Sequence, residues 1–402
     1  MADSSNPKSV LPSSISEWRT LVQEAGFKST SLHAAKKLHS GSNVDEEQYL
    51  RFQVIRSVKK IHKFDWEHAG LAEWKDEAKE LLAGYRSWHR YCEHLHFNKV
   101  PESSFALVHL HQRQAARVKT DVMSTSVTAT PPNYNLRQRN PNISYAEVVK
   151  QTGRLSLDND PFTTPTRQMG TARPDDEETE DESPLFGKAK AHRRQFVDTP
   201  SSLKSPGDPE VRKIIYPATI DEQIVNAALL DLLCALIMHF NLPFEWTLHR
   251  VPLLADFATA SYTARTDGYL VATEDKREGK RIRALVEVKA VLRDKQEKDI
   301  AMQEAAQMVA WITNHPDIGG YLNKKGRRIH VCQDRHEIYL VYAEYDDDYL
   351  KYLGGEEKPD AFMKLHQFGG WDTGDLESMV HLAPILVAIA LRAAADLKAD
   401  MT

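Results

Sequence analysis

"RIRALVEVKAV", Arg281 to Val291, reads as a β-strand in the interior of a sheet, yet Glu287 and Lys289 stand in its middle. Side chains alternate between the two faces of a strand, so Ala284, Val286, Val288, Ala290 and Leu292 make one wholly apolar face. Leu285, Glu287, Lys289 and Val291 share the other. A central strand covered on both sides normally reads as a continuous apolar run. The charged face is therefore expected to border a second layer or a cleft. Buried charges are costly unless they are paired or bound to a metal ion. A solvated strand face with a modest Glu287–Lys289 pair would give the same alternation.

Upstream, "ARTDGYLV" places Asp267 beside Gly268 at a strand start or tight turn. Nineteen residues separate Asp267 from Glu287, the length of one hairpin, so adjacent antiparallel strands can bring the two carboxylates together. Two converging carboxylates with a lysine one pleat away suit a hard divalent cation. Mg²⁺ prefers oxygen ligands, keeps several waters and is held by one or two carboxylates plus substrate phosphate. Lys289 would then hold or deprotonate the attacking water and stabilise charge developing on phosphate.

Asp267 followed by Glu287-Val288-Lys289 resembles the PD-(D/E)XK nuclease superfamily, with Thr266 where the family name has Pro. The resemblance covers residues 209–400. "QEAAQMVAWI" and "FGGWDTGDLESM" are similar to the nuclease-like domains of fungal proteins. It implies a restriction-endonuclease-like fold, a mixed α/β sheet flanked by helices. It implies Mg²⁺, or Mn²⁺, on Asp267 and Glu287, with Lys289 assisting the water. It also implies a role for Glu222 as a further metal ligand and for Gln307, in a Q-x-x-x-Y-like pattern ending at Trp311, in orienting the catalytic site. Each has a plainer reading. Thr219 and Glu222 have capping-box spacing, and Gln303 and Gln307, four apart, could form a polar stripe on one helix face.

The surrounding pattern fits such a domain. "TIDEQIVNAALLDLLCALIMHF" reads as a buried helix, apolar around much of its circumference. "ADFATASYTARTDGYLVATED" reads as two strands around a turn. A helix over "DKQEKDIAMQEAAQMVAWITNH" stops near Pro316. "RRIHVCQ" and "HEIYLVYAEY" read as strands, and "DLESMVHLAPILVAIALRAAADL" as a closing helix containing Pro384. Arg281, Arg283, Arg293, Lys295 and Lys298 flank the motif strand and could contact phosphates. The run "KKGRR", Lys324 to Arg328, has the same potential. Asp256 is read as structural.

Residues 1–13 read as a disordered tail and 14–118 as an all-helical domain. It opens with a Ser14/Glu17 capping box and continues with Tyr49, Phe52, Ile55 and Val58 on one helix face. This domain could bind a protein partner. His89, Cys92, His94, His96, His109 and His111 are dense there, but lack the two short ligand pairs of a structural zinc site. Trp66, Trp74 and Trp88 are expected to pack the core. Residues 119–208 are polar, with an acidic block "RPDDEETEDESP", and read as a disordered linker. Its Thr130-Pro131, Thr164-Pro165, Ser183-Pro184, Thr199-Pro200 and Ser205-Pro206 pairs suit proline-directed phosphorylation. "KAKAHRR" fits a nuclear import run.

The 402 residues carry 41% hydrophobic and 27% charged residues and a net charge of −5, so no global basic field advertises nucleic acid. Three scattered cysteines argue against a disulfide framework and for a reducing, intracellular compartment. The run "LAPILVAIAL" is about half of the ~20 residues that span a bilayer, so no membrane is expected. The functional expectation is a metal-dependent nuclease that hydrolyses phosphodiester bonds in nucleic acid, with DNA preferred. The alternative is a catalytically inactive nuclease-fold module for binding or regulation. A third reading is an interaction protein built around the N-terminal helices.

Overall fold

The computed structural model describes residues 11–27, 29–97, 99–100, 102–117, 221–273, 282–315 and 327–399. The expected linker over 119–208, its Ser/Thr-Pro pairs and "KAKAHRR" lie outside the described residues, as do residues 1–10 of the expected tail, Thr219 and Arg281.

The motif strand, β6 (Ile282–Lys289), lies inside a seven-stranded sheet. On one side it pairs antiparallel with β5 (Gly268–Ala272), which pairs antiparallel with the edge strand β2 (Phe244–Thr247). On the other side it pairs parallel with β7 (Ile329–Asp334). The sheet continues through β8 (Glu337–Glu344) and, after the short helix α8 (Asp347–Leu353), β9 (Met363–Asp372), both antiparallel to their predecessors. It ends at β1 (Val54–Lys59), parallel to β9. The parallel β6–β7 pair requires a long crossover. The helix α7 (Glu297–Asn314) lies within that connection.

Both faces of the sheet are covered, which accounts for the near-continuous burial of β6. Ala284, Val286 and Val288 pack in a core with α6 (Glu222–Ile237) and α9 (Leu376–Ala399). Leu285, on the face of Glu287, packs in a second core with α7 and with a small hairpin, β3 (Pro252–Asp256) and β4 (Ser261–Arg265). Thr266 and Asp267 carry the chain from that hairpin into the main sheet. The motif face is therefore covered by a second layer, and a solvated face is ruled out for Glu287. Among the described residues, α9 alone has the length and hydropathy of a membrane span, and most of it is buried in the fold.

Gly268 follows Asp267 where the backbones crowd. A Cβ there would meet the Thr247 carbonyl oxygen at 2.5 Å and the Leu230 methyls at 3.3 and 3.4 Å. The carbonyl is backbone in β2, so it cannot swing aside. Gly268→Ala is expected to lower stability by about 1–3 kcal/mol, the usual cost of overpacking. Chemical denaturation checks this, and a stability equal to wild type would contradict the close approach.

The all-helical N-terminal domain is corrected. The described N-terminal residues belong to the same compact unit as 221–399, and Val54–Lys59 is the edge strand of the main sheet. The helix α2 (Glu46–Arg51) stops because Gln53 takes a left-handed conformation, φ 49°. Val54, Ile55 and Val58 are β-branched, a choice that favours strand. The three-residue spacing of Tyr49, Phe52, Ile55 and Val58 is therefore not a helix face, and Val58 is exposed. The remaining N-terminal helices, α1 (Ile15–Glu24), α3 (Lys75–Ala83), α4 (Arg86–His94) and α5 (Ala106–Ala116), are genuine. Ser14 caps α1 through the Glu17 amide as expected. Trp88 and Tyr91 of α4 share the core of α6 and α9.

Candidate active site

The register of β5 on β6 sets Gly268 opposite Val286, so one step further places Asp267 opposite Glu287. The backbone fixes this. The Asp267 amide donates to the Val286 carbonyl at 2.9 Å, and the Val288 amide donates to Asp267 Oδ2 at 3.1 Å. Asn226 of α6 donates its side-chain amide to the Asp267 carbonyl at 3.4 Å. Asp267 Oδ1 accepts from the Arg250 guanidinium at 2.5 Å. Asp267 and Glu287 are each 3% exposed.

Glu287 is equally constrained. Its Oε1 accepts from Lys289 Nζ at 2.6 Å and from the Gln303 amide, and its Oε2 accepts from Gln307 Nε2 at 2.6 Å. Gln307, fully buried, also donates to the Arg265 carbonyl at 2.7 Å. The two glutamines thus clamp Glu287 from α7, and the polar-stripe reading of this helix face is set aside. Gln307 touches Glu287 rather than open space, so its part is positioning. The Lys289 amine lies 3.4 Å from Glu222 Oε1. Glu222, Arg250, Asp267, Glu287, Lys289 and Gln303 border one open cavity of about 890 Å³, whose wall also includes Ser40, Ser42 and Asn43 from the N-terminal segment. That segment is docked by the Gly41 amide on the Thr263 carbonyl at 3.0 Å.

Burial raises the Glu287 carboxyl to about 8, with Asp267 adding to the rise and Lys289 and Gln307 opposing it. Burial opposes the charge on Lys289, but the Glu287 and Glu222 carboxylates more than offset this and hold its amine above the ordinary lysine value. The two shifts compete, because a protonated Glu287 would attract Lys289 less. The Glu287 carboxyl is raised chiefly because its side chain is almost wholly removed from water.

A hard divalent cation fits this donor set, with two buried carboxylates on adjacent strands facing one cavity. Each carboxylate currently holds a cationic side chain, Arg250 on Asp267 and Lys289 on Glu287. Glu222 does not join them. Among the described residues, Asp267, Glu287 and Glu222 do not converge as a three-ligand cluster, and the Glu222 carboxylate faces Lys289. Nor does Glu222 act as the partner in a capping box. Asp221 is the N-cap of α6, accepting from the Gln223 amide at 2.9 Å.

Two outcomes follow from this electrostatics. Below pH 8 a proton on Glu287 competes with the cation, and metal binding must displace it. Mn²⁺ affinity is therefore expected to rise from pH 6 to pH 9 with net proton release, measured by calorimetry in buffers of different ionisation enthalpy. A flat profile would contradict the raised carboxyl. Second, the Arg250 side chain is 54% exposed although Asp267 is buried, and its guanidinium competes with a cation for Asp267. Arg250→Ala is expected to tighten Mn²⁺ binding by about 2- to 5-fold, the worth of such a pair. Weaker binding would show that Arg250 supports the site rather than guards it.

No protein-family model, curated protein or solved structure matches this chain.

The flanking basic residues behave differently from expectation. Arg293 is buried, bound to Glu304 and Asp334, and Arg283 is buried too. Lys298 pairs with Glu46. In the "KKGRR" run, Lys324 to Gly326 lie outside the described residues, Arg327 pairs with Asp396, and Arg328 is buried against the carbonyls of Trp311 and His315. Their charges serve the fold. Arg250 was missed because "LHRVPL" carries no motif, and the Ser40–Asn43 wall because nothing local ties it to β4.

Proposed function

We propose that the chain is a metal-dependent nuclease acting on DNA. The observation that carries this reading is the opposition of Asp267 and Glu287 across β5 and β6, with Lys289 2.6 Å from Glu287, on one open cavity. A bound Mg²⁺ or Mn²⁺ would supply Lewis-acid polarisation of a phosphate oxygen and a more acidic water. Asp267 and Glu287 would hold it, with Gln303 and Gln307 fixing the Glu287 rotamer. Lys289 is an ammonium, so it orients the attacking water and stabilises phosphate charge rather than removing a proton. Arg250, released from Asp267, is the cation placed to meet a substrate phosphate.

One observation favours a second reading, a nuclease fold that binds without cutting. All four carboxylate oxygens of Asp267 and Glu287 already have protein donors. The full chain incubated with plasmid DNA, and in parallel with single-stranded RNA, separates the two. Cleavage that needs Mn²⁺ or Mg²⁺, stops with chelator and is lost in Lys289→Ala supports the enzyme. Retention of DNA with no cleavage under any metal supports the binding module.

A further inference from the structure

On the opposite face of the sheet, three side chains with metal-ligand chemistry converge from three separate segments. His366 of β9 faces Tyr342 of β8 across the strands, and Tyr342 belongs to the core of Val286 rather than that of Leu285. Glu344, two residues along β8 on the same face, reaches His366 diagonally: His366 Nε2 lies 2.8 Å from Glu344 Oε2. His68, from the loop before α3, completes the group. Its Nε2 is 3.4 Å from His366 Nδ1 and 3.7 Å from Glu344 Oε2. One donor atom from each residue lies within 4.8 Å of the others, and this is the one such cluster among the described residues.

We propose that His68, Glu344 and His366 form a site for a divalent transition-metal ion of the zinc type, independent of the Asp267–Glu287 centre. Two imidazoles and one carboxylate select zinc, cobalt or nickel over magnesium and calcium, which demand all-oxygen shells. Zinc–nitrogen bonds of about 2.0–2.1 Å require donor atoms a little over 3 Å apart in a tetrahedron. His366 meets Glu344 through Nε2 and His68 through Nδ1, and only one of these nitrogens can ligate the ion. With one donor atom from each residue within 4.8 Å of the others, a small ring rotation closes the triad and the ion replaces the Glu344–His366 hydrogen bond. Three protein ligands leave a fourth position for water.

The ligands are prearranged. The His68 loop is turned by Asp65, whose Oδ1 accepts from the Glu67 and His68 amides at 3.0 and 3.1 Å. It is anchored by Arg392 of α9, which donates to the Ala69 carbonyl at 3.0 Å. His366 is 7% exposed and stacks on Tyr342, while His68 packs edge-on against His366 with centroids 4.5 Å apart. The ion would clip the N-terminal loop to β8 and β9, joining residues almost 300 positions apart. Cross-links closing such long loops constrain the unfolded chain strongly.

The test uses the full chain stripped with chelator, then given Zn²⁺ and desalted. Bound zinc is counted by elemental analysis, and Co²⁺ absorption in the visible range reports nitrogen-containing tetrahedral ligation. About one zinc per chain should remain, and zinc should raise the melting temperature, since a ligand that binds only the native state stabilises it. His68→Ala and Glu344→Gln should weaken zinc by on the order of 100-fold or more, because even outer partners of a metal site are worth 10–100-fold. Glu287→Gln should leave zinc retention unchanged. If wild type holds no zinc, or if folded His68→Ala and Glu344→Gln hold it as wild type does, the site is refuted. Glu344 is partly exposed, so Glu344→Gln keeps the test open should His68→Ala unfold.

Discussion

Asp267→Asn is expected to reduce phosphodiester cleavage by about 10³-fold or more while leaving the fold intact. The magnitude is that of removing one preorganised electrostatic group from an active site, about 10²–10³-fold, compounded here by loss of a metal ligand. Stability should change little for a structural reason. The Asn carbonyl can still accept the Val288 amide that holds Asp267 Oδ2 at 3.1 Å, and the Arg250 contact it loses belongs to a half-exposed guanidinium. The split between activity and stability is the informative part. Single-turnover cleavage with saturating Mn²⁺ reads the first, and a urea transition reads the second. Cleavage at the wild-type rate would place the chemistry elsewhere. Equal collapse of both would make Asp267 a structural residue.

The largest stability effect is expected at Arg293, which sequence alone offered as a phosphate contact. Its Nε lies 2.5 Å from Asp334, and its two terminal nitrogens lie 3.2 and 2.5 Å from the two oxygens of Glu304. It also reaches Gln367 of β9 at 2.7 Å, and Gln367 is bound in turn by Arg56 of β1. All three charged side chains are at most 4% exposed. Arg293→Met keeps the apolar stem and strands two buried carboxylates, so a loss of about 3–5 kcal/mol is expected. Lys351→Met, which removes only the exposed pair with Asp348, should stay within about 0.5 kcal/mol.

The loss at Arg293 should also depend on pH. Burial already raises Asp334 to about 6 against the pull of Arg293. Without the guanidinium, Asp334 rises further above its unfolded value, and Glu304, which Arg293 and Arg56 hold below the ordinary glutamate range against its burial, rises as well. The native state then binds more protons than the unfolded state, and stability falls as pH rises through that window. The penalty should be smaller at pH 5 than at pH 8. A pH-independent penalty would mean that packing, not charge, is what Arg293 supplies.

What the sequence disclosed followed from local geometry. The β5–β6 pairing is one hairpin, so alternation along "RIRALVEVKAV" and the position of Asp267 together predicted which side chains meet. Gln307 was singled out only because "QMVAW" resembles a Q-x-x-x-Y pattern, and helical spacing by itself left it in a polar stripe. The N-terminal strand was not legible. Its partner β9 lies some 300 residues away, and a pairing set by distant tertiary contacts leaves no periodic trace in Val54–Lys59. β9 itself hides behind polar His366 and Gln367, and behind a bulge at Gly369, where φ is 139° and a Cβ would strike the Ile338 carbonyl at 2.7 Å. The buried arginines misled for a related reason. An arginine carries the same charge whether it meets solvent, phosphate or an internal carboxylate, and only the fold supplies Glu304 and Asp334. The His68, Glu344 and His366 group was hidden because no two of its members are close in sequence.

Diffraction from Mn²⁺-soaked crystals at the manganese absorption edge probes the Asp267–Glu287 centre most directly. The expected result is an anomalous peak about 2.1–2.2 Å from one oxygen of each carboxylate, with the Arg250 guanidinium moved off Asp267. No peak between the two carboxylates at saturating Mn²⁺, with Arg250 still bound to Asp267, would contradict the metal centre and the nuclease reading built on it.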